Sequence, residues 1–154
     1  MNEQPNVRNR DLVDISLLLV RLIVGLIFAA HGSQKLFGAF GGMGLTKTVE
    51  MMQPNLGSVL PYFVIIGEFF GGIGLIFGFL SRFSAAALIV IMVGAIATVH
   101  GKNGFFSSSG GFEYNLALIG LLLPILLCGP GSISIGRFFL PKSAKTGRPV
   151  VVLE

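Results

Sequence analysis

The chain has 154 residues, 53% of them hydrophobic and 12% charged, with a formal net charge of +4. That length suits one domain, and the apolar excess excludes an ordinary water-soluble fold, so the predicted solvent for most of the chain is lipid. The single cysteine, Cys128, excludes an intrachain disulfide, and no CxxC or CxxCH pattern offers a thiol redox pair or covalent haem.

A spanning helix needs roughly 20 mostly apolar residues, and four runs meet that need, at about 12–35, 57–81, 83–101 and 111–129. They predict an all-α, four-helix transmembrane bundle over residues 12–139, between an N-terminal tail (1–11) and a basic C-terminal tail (140–154). Four crossings put Arg8, Arg10, Arg82, Arg137, Lys142, Lys145 and Arg148 on one side and Lys35, Lys47 and Lys102 on the other. The positive-inside rule then places both termini in the cytoplasm. A basic tail beside anionic lipid needs no nucleic acid to explain it.

The first run, "RLIVGLIFAAHGSQKLFG", carries Arg21, His31 and Lys35. Arg21, Gly25, Phe28, Gly32 and Lys35 lie within about 40° of Arg21 on a helical wheel, and His31 lies about 80° away. An arginine within the apolar stretch argues against a cleaved leader. A basic group at mid-helix costs about 2.5–3.5 kcal/mol on insertion scales, so it should turn inward and find a partner. Glu68, near the middle of the second run, is the expected partner of Arg21. Asp14 is the alternative, holding the guanidinium toward the cytoplasmic surface.

The connector "GLTKTVEMMQPN" places Leu45, Val49 and Met52 at helical spacing, too short to span and suited to the interface. In the second run Gly67, Gly71, Gly74 and Gly78 form a stripe about 60° wide, a groove for close helix packing, with Gly94, Ala97 and Gly101 of the third run as the expected counterpart. "LSRF" (80–83) predicts a tight turn between the second and third helices, Pro124 a bend in the fourth, and "CGPGS" (128–132) its stop. An echo between "HGSQKLFGAFGG" (31–42) and "HGKNGFFSSSGG" (100–111) is consistent with two related hairpins in parallel repeat.

Antiparallel helices bring a second polar group to one depth, formed by His31, Lys35, His100, Glu113, Tyr114 and Asn115. Helix-end charges that complement the dipole are the plain structural alternative for Lys35 and Glu113. As a site, the group suits proton-coupled chemistry at a quinone head, with Glu68 and His31 handling protons and Arg21 holding Glu68 ionised. Axial ligation of haem b by His31 and His100 is a lesser alternative with no further support in the sequence. Two separated histidines and a distant cysteine make no zinc site.

In order and spacing, "RLIVGLIFAAHGSQKLFG", "GEFFGGIGLIFG" followed by Arg82, "HGKNGFF", "EYNLAL" and "GPGSIS" resemble the DoxX family of small bacterial membrane proteins, over about residues 12–139. The resemblance implies a four-helix protein of the bacterial plasma (inner) membrane. It also implies a link to thiosulfate:quinone oxidoreductase or quinol oxidase subunits acting with a redox partner protein. The positions that match are Arg21, Gly25, His31, Gly32, Lys35, Glu68, Gly71, Gly72, Arg82, His100, Glu113 and Tyr114. Where members often continue "GPG" toward Ser-Leu-Asp, this chain has Ser134, Ile135 and Gly136. The alternative function is a non-enzymatic membrane component, a small-solute carrier or a scaffold.

Overall fold

The computed structural model describes residues 7–136, so the basic tail at 140–154 and residues 1–6 of the N-terminal tail lie outside the described residues. Five α-helices follow in order: α1 (Val7–Phe37), α2 (Gly44–Leu56), α3 (Leu60–Phe77), α4 (Ser81–Ala95) and α5 (Glu113–Cys128). No strand occurs among the described residues. The first helix starts inside the stretch expected to be tail. Three helical stretches, Asn9–Phe37, Leu60–Phe77 and Ser81–Asn103, are long and apolar enough to cross a membrane. α5 is equally apolar but has 16 residues, shorter than the fourth run predicted.

Local chemistry sets the ends. Pro61 occupies the first turn of α3, where its missing N–H costs nothing. Gly78 ends that helix in the left-handed region (φ 70°), and the Phe79 N–H reaches back to the Gly74 carbonyl. Such a closure satisfies carbonyls that the helix end would leave open. Leu80, also left-handed (φ 49°), then starts α4, giving the tight turn expected of "LSRF". α4 widens into a π-turn at Ile96–His100. α5 runs through Pro124 and stops at Gly129.

α1 packs mainly on α3 and α4 on α5, with α3 against α4 and α1 against α5 closing the bundle. Val24, Phe28, Leu75, Leu88, Met92, Leu118, Leu122 and Ile125 form its core. The outer helix faces carry large apolar side chains such as Leu19, Ile23, Leu26, Phe63 and Val90, as lipid contact requires. α2 lies against α1 and α3 with Thr48 buried and Leu45, Val49 and Met52 half-buried, matching the amphipathic connector.

Glycines fix the register. A Cβ on Gly32 would overlap the Phe69 backbone, one on Gly72 the Ala29 backbone, and one on Gly25 would lie 2.8 Å from the Gly72 carbonyl oxygen. Backbone contact of this kind is how helices associate where lipid supplies little hydrophobic drive. The stripe of Gly67, Gly71 and Gly74 faces α4, as expected, but receives side chains there: Ile91, Leu88 and Ser84. Gly94 meets nothing within 4 Å, so the expected glycine counterpart on α4 is corrected: side chains of α4 reach the stripe, and an apolar cavity of about 450 Å³ stays open beside it.

Candidate functional site

Opposed residues of α1 and α3 in this register are 32 with 69 and 29 with 72, so Glu68 faces the last turn of α1. Arg21 falls opposite residues 78–80, about 12 residues or ~18 Å further along the axis. The expected Arg21–Glu68 pair is therefore corrected. Lys35 takes the Glu68 carboxylate, its ammonium 2.5 Å from both oxygens, with Glu68 only 3% exposed. With the pair goes the geometric basis for Arg21 holding Glu68 ionised.

Arg21 belongs to the proximal end of the bundle, where α1 begins its apolar stretch, α3 turns into α4, and α5 stops. It is 2% exposed and donates to the carbonyls of Pro130 and Ile133, at 2.6 Å each. Gly78 must be a glycine beside it, since a Cβ there would sit 2.6 Å from an Arg21 nitrogen. Asp14, the alternative partner, instead accepts the Ser132 N–H at 2.9 Å. Arg82 donates to the Leu127 carbonyl at 2.9 Å, and the N–H groups of Ile135 and Gly136 return to the carbonyls of Phe77 and Gly78. The "GPGSIS" segment is thus bound on every side. Arg21, Asp14 and Arg82 spend most of their hydrogen-bonding capacity on backbone groups, with Arg21 Nε left buried without a partner.

At the distal end a cavity of about 390 Å³ opens among α1, α3, α4 and α5. Lys35, Glu68, His31, His100, Tyr114 and Asn115 line it, with Phe28, Met92 and Leu118 as apolar wall and Ser107, Gly110 and Gly111 along one side. Six of the expected site residues therefore meet in one space. His31 and Tyr114 contact edge to face, ring centroids 6.4 Å apart, and neither makes a hydrogen bond to another described residue. The His100 Nδ1–H donates to the Gly110 carbonyl at 2.7 Å, leaving Nε2 as its free nitrogen. Asn115, 6% exposed, donates to the Met92 sulfur at 3.4 Å.

Glu113 does not join the cavity. Its carboxylate accepts the Ser107 N–H and hydroxyl, both at 2.9 Å, and so closes the loop before α5. Among the described residues no three His, Cys, Asp or Glu side chains gather as a metal would need, and exposed Cys128 lies at the proximal end.

Sequence reasoning missed Met92 and the loop residues Ser107, Gly110 and Gly111. The loops after the two histidines gave the signal: each makes a 3-10 turn with a left-handed glycine at its end, Gly41 (φ 76°) as the last residue of the first and Gly110 (φ 76°) just after the second. In each, the next glycine, Gly42 or Gly111, packs on backbone just after the histidine's helix turn. That shared fold-back carries the second loop over the cavity.

The family profile described as DoxX matches residues 16–101, more than half of the chain. An Escherichia coli K12 protein, "Inner membrane protein YqjF", is 29% identical over 86% of this chain and 98% of its own length. A Bacillus subtilis 168 protein, "Putative oxidoreductase CatD", is 28% identical over 87% of this chain and 93% of its own. "Inner membrane protein YphA" of E. coli K12 is 26% identical over 80% and 89%. No solved structure matches the chain significantly. With most of α1 and all of α2, α3 and α4 inside the matched region, this protein belongs to the DoxX family.

Proposed function

We propose that this protein is the membrane-embedded, quinone-handling component of an oxidoreductase whose electrons come from a partner protein. One observation carries the reading: the distal cavity joins two unpaired hydrogen-bonding rings, His31 and Tyr114, to the buried Lys35–Glu68 pair. Its volume lies in the range of small-molecule sites. A flat aromatic diketone needs apolar walls, donors for its oxygens and a route for protons, and Phe28, Leu118, the two rings and the ion pair supply these. Reduction of a quinone to the hydroquinone takes two electrons, from the partner, and two protons. Glu68 is the carrier for one proton, released from its ion pair when the 28% exposed Lys35 turns to solvent. His31 exchanges the other with water at the cavity mouth. The name of the Bacillus relative favours redox work of this kind.

In this reading all four long helices cross the membrane. The 16 residues of α5 rise about 24 Å and the flanking Phe112 and Gly129 turns complete the crossing. The positive-inside rule, applied to Arg10 and Arg82, supports a cytoplasmic proximal end, with the cavity opening toward the outer leaflet of the bacterial plasma membrane.

Solvent extraction and oxidised and reduced spectra of the purified protein test the reading. Quinone in near-stoichiometric amount without haem bands is expected, together with faster quinone reduction by thiosulfate or another donor in membranes that contain the protein. No extracted quinone and identical rates would overturn it. A non-enzymatic carrier or scaffold is the second reading, and the closure of Lys35 on both Glu68 oxygens favours it, since neither charge then stands idle. Saturable binding without any turnover would support that alternative.

A further inference from the structure

Asn115 is a buried primary amide with two N–H donors and one carbonyl acceptor. Its one hydrogen bond among the described residues goes to the Met92 thioether at 3.4 Å. Sulfur of this type is a weak acceptor. Helix α5 places Asn115 two residues after Glu113, with Leu118 below it on the same face, so the amide borders the cavity and stands clear of the lipid side. An amide in such a position costs free energy unless something better than a thioether completes its bonds. Of the other polar groups that line the cavity, Lys35 and Glu68 bind each other and His100 binds Gly110, while His31 and Tyr114, though unpaired, make no hydrogen bond to the amide.

We infer that Asn115 is the specificity residue of the cavity, its amide N–H donating to one carbonyl oxygen of a quinone-type ligand, with Met92 as the acceptor that the ligand replaces. The inference rests on the quinone reading above and adds to it the group that distinguishes a diketone from a hydrocarbon of the same shape. The second oxygen is left to the unpaired His31 and Tyr114. A site built to hydrogen-bond a ligand oxygen rejects an analogue that lacks it, because the buried donor is then stranded.

The test uses the full chain in lipid nanodiscs with two probes of nearly equal shape, 2,3-dimethyl-1,4-naphthoquinone and 2,3-dimethylnaphthalene. Wild type is expected to bind the quinone at least about tenfold more tightly. Asn115→Leu should lose that preference, weakening the quinone about tenfold while leaving the hydrocarbon within about twofold, which also shows that the variant is folded. Met92→Leu keeps volume and shape, and should hold quinone affinity at or slightly above the wild-type value. If wild type does not bind the naphthoquinone, the quinone reading itself fails. If wild type binds it and Asn115→Leu binds it equally, or Met92→Leu loses as much as Asn115→Leu, the quinone reading stands and the assignment of Asn115 is overturned.

Discussion

Both ends of this bundle hold buried charge, yet they differ in whether the polar capacity left over faces an open space. At the proximal end the Arg21 guanidinium meets two carbonyls, Asp14 meets a backbone N–H, and Arg82 meets the end of α5, so that a non-helical segment is tied in, and the polar atoms left over there, Arg21 Nε and Ser81 Oγ, are enclosed by protein. At the distal end Lys35 and Glu68 satisfy each other, but His31 and Tyr114 have no partner and Asn115 has only sulfur. A charge inside a membrane protein is therefore a poor marker of chemistry by itself. The better marker is polar capacity left over beside an open space.

The largest effect expected from this contrast is on stability and belongs to the proximal end. Arg21→Met removes the charged donors from the Pro130 and Ile133 carbonyls, both part-buried bonds. Hydrogen bonds to a charged group contribute about 1.5–3 kcal/mol each, so losing two costs about 3–5 kcal/mol. Thermal unfolding in detergent should show a loss of that order, with quinone affinity unchanged at temperatures where the variant is folded. A large loss of affinity in the folded variant would break the separation of the two ends.

Next comes the helix crossing that sets the two ends apart. Gly72→Ala drives a Cβ into the Ala29 backbone, and overpacking of this kind costs about 1–3 kcal/mol. Gly94→Ala, with nothing within 4 Å of the added carbon, is the matched control and should unfold within about 0.5 kcal/mol of wild type. Equal losses in the two variants would show that the register is not held by α1–α3 backbone contact.

These glycines also mark what the sequence made legible. The helices, the α3–α4 turn and the grouping of His31, Lys35, His100, Tyr114 and Asn115 follow from hydropathy, spacing and antiparallel direction. The partner of Glu68 does not follow. Depth along two antiparallel helices depends on register, and hydropathy leaves register free over several residues. Arg21 looked nearest to Glu68 when both were placed by distance from the span's middle. Gly25, Gly32 and Gly72 held the answer, because helices approach most closely where Cβ atoms are missing, and aligning them brings Lys35 to Glu68. Capture of Arg21 by a loop more than 100 residues away in sequence has no periodic signature at all. Nor does the membership of Met92, a core methionine by pattern whose sulfur faces a polar amide.

A smaller effect is expected at the ion pair. Lys35→Met strands the Glu68 carboxylate, which can still take up a proton, and the lysine is partly exposed, so the cost is about 1–2 kcal/mol, below the figure for a fully buried pair. Adding Glu68→Leu should recover most of that loss, since an apolar pair needs no partner. A double-mutant cycle measured by thermal unfolding checks this, and additive losses in the two single variants would mean that the pair contributes no coupling.

The smallest effect on stability separates the two ends most sharply. His31 makes an edge contact with Tyr114 but no hydrogen bond to another described residue, so His31→Phe keeps the ring contact and removes only idle donor and acceptor capacity. Unfolding should shift by less than about 0.5 kcal/mol, as for a substitution that breaks no buried bond. Affinity for the naphthoquinone should nonetheless fall about fivefold, the equivalent of one net hydrogen bond of about 1 kcal/mol. The result runs opposite to that for Arg21→Met, which costs stability and spares the ligand. Were His31→Phe to destabilise the fold while leaving affinity alone, the imidazole would be structural, and the unspent polar capacity of the distal end would shrink to Tyr114 and Asn115.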